Sequence, residues 1–152
     1  MNGVVVALED WWTVWPEAQP LMAANYAEAE LNTRVPFEIA ADLAGQMQLA
    51  GSMKIITARV PQLVGYLFWF LAPRMDSAMT LIAQEGPWYV TPEWRKRGVA
   101  MALMRKGIEE LRQIGVNQLF LHDRQPVGGP DLAPIFARLG AKPDQRQWLM
   151  EL

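Results

Sequence analysis

Cysteine is absent from this chain of 152 residues, so neither disulfides nor thiolate metal ligands are available to it. Histidine occurs once, at His122, which also excludes a His-rich zinc site, and no metal is expected. Acidic and basic residues nearly balance, 16 to 14. A formal net charge of −2 gives no broad field to attract nucleic acid, so none is expected as a partner. Long hydrophobic runs are missing as well: the longest, residues 63–72, is too short to cross a bilayer, and no membrane association is expected. Residues 1–8 have no basic n-region and run into Glu9 and Asp10, which is unlike a secretory signal. The expectation is a cytoplasmic protein. Internal repeats, low-complexity tracts and linkers are also lacking. Apolar residues make up 51% of the chain, enough for one real core, and a single domain over residues 1–152 is expected.

Tryptophan, by contrast, is plentiful. Trp11, Trp12 and Trp15 cluster near the N-terminus, and Trp69, Trp88, Trp94 and Trp148 are spread over the rest. Large aromatics usually pack into cores. The alternative is an aromatic-lined acceptor pocket or partner surface under the N-terminal segment.

Residues 4–8 read as a short strand. A helix follows, starting between Pro16 and Pro20 and ending near Leu31, since proline disrupts a regular helix before it. Pro36 suits the first position of a second helix, to about Ala50, stopped by Gly51. Residues 53–59 and 63–71 form an expected hairpin across Pro61, with a loop at 72–76 and a third strand at 79–90. Gly86-Pro87 lies inside that strand, where proline removes a ladder donor, so a bulge or an end of pairing is expected there. From Arg97 to Gly115 the apolar residues Ala100, Leu103, Met104, Gly107, Leu111 and Ile114 repeat at helical spacing. Residues 117–122 read as a strand parallel to 79–90, because a helix separates the two. Gly128-Gly129-Pro130 opens a loop to a helix at 131–139, and 147–152 closes as a strand.

The chemistry concentrates at residues 90–101. An aromatic-ended strand gives way to Arg95, Lys96, Arg97 and Gly98, then to the helix start at Val99, Ala100 and Met101. Helix N-termini present unbonded N–H groups and a partial positive charge that suit a pyrophosphate. Three cations at that end are unfavourable unless an anion is present. Gly98 removes a Cβ where phosphate oxygens would approach the backbone closely. No GxxxxGK[ST] or GxGxxG pattern is present, so neither a P-loop nor a dinucleotide fingerprint fits.

Arg95, Gly98 and Ala100 sit at the fixed positions of an (R/Q)-x-x-G-x-(G/A) turn, with Val90 and Pro92 just upstream. The chain thereby resembles the GNAT superfamily of acetyl-CoA-dependent N-acetyltransferases, in its small bacterial or phage-type form. The resemblance implies an α/β fold (α+β by some schemes): a mixed, mostly antiparallel twisted sheet flanked by helices, with a splayed parallel strand pair. It implies acetyl-CoA as cosubstrate, held by the turn from Arg95 to Met101. Main-chain groups of Trp88, Tyr89 and Val90 would bond the pantetheine, with the Val90 N–H facing the thioester oxygen as an oxyanion donor. The acceptor implied is a small-molecule or protein amine, and a homodimer is left open.

Direct transfer needs a neutral amine, so a general base must stand near the acceptor. Glu85 lies on the strand that often supplies a glutamate in this family; its plainer reading is a solvent-facing strand residue. His122, at the end of the expected parallel strand, either takes part or is a satisfied hydrogen-bonder. Asp123 beside it reads as a turn or acceptor-binding residue, and Glu9, Asp10 and Asp76 are further acids near the acceptor side. The tyrosine that often protonates the departing thiolate falls here on Phe136, which has no proton to give. That departure keeps a rival open: an acyl-CoA-binding module without useful turnover. A second rival is an interaction protein using the tryptophan-rich N-terminus.

Overall fold

Alternating apolar residues build a five-stranded sheet. In a computed structural model, described over residues 3–29, 36–123, 131–144 and 150, the strands are β1 (Val5–Glu9), β2 (Met53–Val60), β3 (Gln62–Arg74), β4 (Ser77–Val90) and β5 (Val116–Phe120). Their spatial order is their chain order. Strands β1 to β4 pair antiparallel with their neighbours, whereas β5 follows a helix and pairs parallel to β4. The helices are α1 (Trp11–Ala29), α2 (Ala41–Leu49), α3 (Val99–Gln113) and α4 (Ala133–Arg138). This mixed, mostly antiparallel sheet flanked by helices is the architecture the resemblance implies. The chain divides into two compact units, Met1–Phe120 and Leu121–Leu152. The first holds the sheet with α1, α2 and α3; the second holds α4. Among the described residues no helix is long and apolar enough to cross a membrane.

Period-two alternation along β3 gives the sheet two apolar faces. Tyr66 and Phe68 pack with Trp11, Val14 and Ala18 of α1, and Ala44 and Met47 of α2 lie against the same cluster. Trp11 is fully buried there, its ring 5.8 Å from Phe68. Its indole N–H donates to the Ala41 carbonyl at 2.9 Å, so the packing reading holds for this tryptophan. The intervening residues Gly65 and Trp69 face α3. Leu103 and Val90 lie against Gly65, and the Trp69 indole lies against Gly107.

Several boundaries differ from the sequence reading, each for a local reason. Helix α1 begins at Trp11 rather than between Pro16 and Pro20. Asp10 caps it, one carboxylate oxygen accepting the N–H groups of Trp12 and Thr13 at 3.0 and 3.2 Å. The prolines deprive the Trp12 and Pro16 carbonyls of helical donors, but Trp12, Pro16 and Pro20 all lie on the exposed side, where water serves instead. Helix α2 starts at Ala41, not Pro36. Phe37 instead sets its ring 5.3 Å from Tyr26, and Ile39 packs on the core, so tertiary contacts override the proline signal.

The expected loop at 72–76 is mostly strand: β3 runs to Arg74, which pairs with Ser77 across a tight turn at Met75 and Asp76. Arg74 clamps that turn through two bonds to the Asp76 carboxylate, 2.5 and 3.0 Å. Helix α3 starts two residues later than expected and ends at Gln113, so Ile114 stands past its last turn, 43% exposed rather than on the buried face. Strand β5 stops at Phe120, leaving His122 two residues beyond it. The expected loop at 128–130 and almost all of the expected strand at 147–152 lie outside the described residues, as does Trp148.

Candidate functional site

Strand β4 pairs on one side along nearly its whole length and on the other only in part. Its parallel ladder with β5 runs from Leu81↔Val116 to Gln84↔Phe120 and ends there. Its antiparallel ladder with β3 continues to Gly65↔Val90. From Glu85 to Val90, β4 therefore has β3 on one edge and no strand among the described residues on the other. The bulge expected at Gly86-Pro87 lies at this parting. Leu67 opposes Trp88 and Trp69 opposes Glu85, so two β4 residues face Phe68 alone, and Pro87 sits where the ladder needs no donor.

Backbone direction at the strand end follows from one bond. The Thr91 N–H donates to the Val64 carbonyl on β3 at 2.9 Å. Successive strand N–H groups alternate in direction, so the Val90 N–H turns to the unpaired edge. The Val90 carbonyl shares that edge and accepts Nε of Arg95 at 2.8 Å.

After Val90 the chain makes one 3-10 turn (Pro92–Trp94) and reaches α3 through Arg95, Lys96, Arg97 and Gly98. Two of these residues are left-handed: Lys96 at φ 59° and Gly98 at φ 81°. Glycine adopts that conformation freely, whereas lysine is held in it against steric cost. Gly98 occupies the N-cap with no side-chain hydrogen bond, and the first turn of α3 has no acidic residue. The positive end of the helix thus lacks both usual compensations, with the exposed Lys96 and Arg97 beside it. This fits an anion. Arg97 lies over the Trp94 ring, 5.2 Å from its centroid.

Arg95 is engaged differently. Besides the Val90 carbonyl it donates Nη2 to Glu28 of α1 at 2.6 Å, and its guanidinium lies 5.3 Å from the Tyr89 ring centroid. The other Glu28 oxygen accepts the Tyr89 hydroxyl at 3.0 Å. Burial, reinforced by the Glu28 carboxylate, pushes the Tyr89 phenol above its ordinary pKa, and burial does the same to Tyr66, which accepts from Asn25 at 3.0 Å. Both phenols stay protonated, and Tyr89 donates to Glu28. Glu28 was not a sequence candidate. Its partner lies 67 residues away, and the only hint was that Arg95 at a helix N-terminus needs a counter-charge.

Glu85 is the first β4 residue beyond the last β5 pairing, half-buried, on the face it shares with Trp69 and α3. His122 and Asp123 belong to the second unit, as does Phe136, which is buried in α4. Glu85 thus belongs to the first unit and His122 to the second. Three acids expected near an acceptor are already committed. Glu9 binds Arg59, Asp10 caps α1 and Asp76 binds Arg74. Among the described residues no three His, Asp or Glu converge as a metal-binding group.

Comparison with known proteins gives a family and a fold. Residues 8–128 match the family model described as the acetyltransferase (GNAT) family. No curated protein matches the chain by sequence. Among solved structures, a ribosomal-protein-alanine N-acetyltransferase from Brucella melitensis biovar Abortus 2308 superposes at TM-score 0.75 and 22% identity, covering 99% of this chain and 100% of that one. An aminoglycoside acetyltransferase from an uncultured soil metagenomic sample, in complex with sisomicin, gives 0.76 at 17%, covering 99% and 97%. The glucosamine-6-phosphate N-acetyltransferase of Arabidopsis thaliana gives 0.73 at 7%, covering 97% of each. At these identities the likeness speaks for the fold.

Proposed function

The chain belongs to the acetyltransferase (GNAT) family, and from that premise we propose that it transfers an acetyl group from acetyl-CoA to a primary amine by direct attack. The observation that carries the reading is the parting of β4 from β5 beyond Gln84 and Phe120, at the strand that leads into an uncapped, acid-free start of α3. A thin pantetheine arm fits such a split, and the helix start suits the pyrophosphate it carries. Lys96, Arg97 and the N–H groups of Gly98, Val99, Ala100 and Met101 hold the phosphates. Main-chain groups of Trp88, Tyr89 and Val90 line the arm, and the Val90 N–H supports the carbonyl oxygen as it gains charge. The amine nitrogen attacks the thioester carbon, the C–N bond forms, the C–S bond breaks, and coenzyme A leaves as the thiolate, which takes a proton from water. Glu85 takes the proton the amine loses, directly or through water; His122 assists in positioning.

A buried Phe136 at the position of the expected tyrosine favours a second reading, an acyl-CoA-binding module without useful turnover. One experiment separates the two. Acetyl-CoA is titrated by calorimetry, and coenzyme A release is followed with sisomicin, an N-terminal-alanine peptide and glucosamine 6-phosphate. These probes come from the neighbours' activities and ligand. Saturable binding with release above the amine-free rate supports the enzyme. Binding without release across a wider amine panel supports the module, and no binding rejects both.

A further inference from the structure

The contacts around Arg95 assign a role to a residue outside the acetyltransferase turn. We propose that Glu28 of α1 is a positioning residue: it holds Arg95 on the Val90 carbonyl, which fixes the Val90–Thr91 peptide and so limits how the adjoining Tyr89–Val90 peptide, bearer of the Val90 N–H, can turn. The inference rests on the acetyl-transfer reading for its consequence, and on geometry for its substance. The peptide between Val90 and Thr91 is pinned from both edges, by Thr91 N–H to Val64 O at 2.9 Å and by Arg95 Nε to Val90 O at 2.8 Å. The first bond belongs to the sheet. The second depends on a side chain that has to be aimed.

Glu28 does the aiming. One of its oxygens takes Arg95 Nη2 at 2.6 Å while the other takes the Tyr89 hydroxyl at 3.0 Å. The guanidinium plane is thus fixed by a carboxylate at one end and a carbonyl at the other, with the Tyr89 ring beside it. Tyr89 and Val90 are consecutive, so α1 controls two successive β4 residues through one side chain. This use of Arg95 leaves the phosphates to Lys96, Arg97 and the backbone.

Exposure decides how the role would be seen. The Glu28 and Arg95 side chains are 45% and 42% exposed, and a pair that open adds little stability. Losing it should move Tm by about 4 °C or less. Orientation of an oxyanion donor is far more demanding.

The test uses Glu28→Ala, Glu28→Gln, Arg95→Ala and the Glu28→Ala/Arg95→Ala pair. Acetyl-CoA affinity is measured by calorimetry, kcat with the fastest amine of the panel above, and the Val90 and Thr91 amide signals by NMR on the ligand-free protein. Glu28→Ala should leave acetyl-CoA affinity within about twofold and lower kcat about 5–20-fold, less than the roughly 10²–10³-fold of deleting an oxyanion donor. Both amide signals should shift. Glu28→Gln, which keeps an oxygen for Arg95, should recover part of the rate. The double variant should be no worse than Arg95→Ala, because both changes remove one contact. Tighter acetyl-CoA binding by Glu28→Ala would mean that Glu28 restrains a phosphate ligand, and the assignment would fall. Unchanged kcat or additive losses overturn it too. Should the wild type bind no acetyl-CoA, the functional reading fails by itself. Unmoved Val90 and Thr91 signals in Glu28→Ala still overturn the Glu28 assignment independently.

Discussion

Gly98 joins two demands in one residue. On the proposed reading phosphate approach needs space at this position, and the backbone independently needs a left-handed turn, φ 81°. Gly98→Val violates both. The left-handed backbone should cost about 1–2 kcal/mol, a tolerable loss that leaves the protein folded. Acetyl-CoA binding should disappear by calorimetry, whereas Gly98→Ala, with similar strain and a smaller side chain, should retain part of it. Normal binding by the valine variant would remove this turn from the site. Glu85 is the sharper residue-scale test because Gln keeps its size and removes only the proton acceptor. Acetyl-CoA affinity should stay near wild type while turnover falls about 10²–10⁴-fold. The deficit should narrow at high pH, where more amine is already neutral. Normal turnover by Glu85→Gln together with loss in His122→Asn would exchange their roles.

Within elements, close approach matters more than propensity. Gly107 sits mid-helix in α3, where alanine would ordinarily stabilise by about 1 kcal/mol. A Cβ there would stand 2.2 Å from Trp69 Nε1 and 2.9 Å from its Cε2, and Trp69 is fully buried. Gly107→Ala should therefore destabilise, by about 1–3 kcal/mol for an overpacked core, read as a lower urea midpoint. A higher midpoint would show that the indole moves aside easily. The same helix marks what sequence can reveal. Its apolar spacing was legible because Leu103, Met104, Gly107 and Leu111 are all buried at helical spacing. The bulge was legible because Pro87 cannot donate. The early start of α1 was not: it depends on an Asp10 cap and on the Pro16 and Pro20 faces being wet, which only the tertiary arrangement decides. Lys96 in a left-handed turn was hidden likewise, since nothing in a lysine announces it. The anion-suited turn was readable as a run of neighbours, whereas Glu28 reaches it from a distant helix and left no local pattern.

Across the sheet unit, one ionic cluster ties four elements together. Arg59 of β2 binds Glu9 of β1 through two bonds, 2.7 and 3.1 Å, and Glu17 of α1 at 2.6 Å. Glu17 also accepts the Leu63 N–H of β3 at 3.0 Å, and the buried Thr57 hydroxyl donates to Glu9. Burial works to raise the Glu9 pKa, but hydrogen bonds from Arg59 and Thr57 outweigh it and hold the carboxyl below its ordinary value. Glu17 is held low first by its bond from Arg59 and then by the Leu63 N–H. Groups with depressed folded pKa values stabilise the fold above their unfolded pKa, and that stability is lost as pH falls through the folded value. Both carboxylates start from 4.5, so the contribution is present at neutral pH and fades below that value. Arg59→Gln should cost on the order of 2 kcal/mol at pH 7. This is below the roughly 3–5 kcal/mol of a fully buried pair, because the Glu17 side chain is 44% exposed. The wild-type advantage should shrink steadily as pH falls below 4.5, followed by urea unfolding of both proteins. A gap that stays constant or widens on acidification would mean that Arg59 contributes through packing of its stem rather than through these charges.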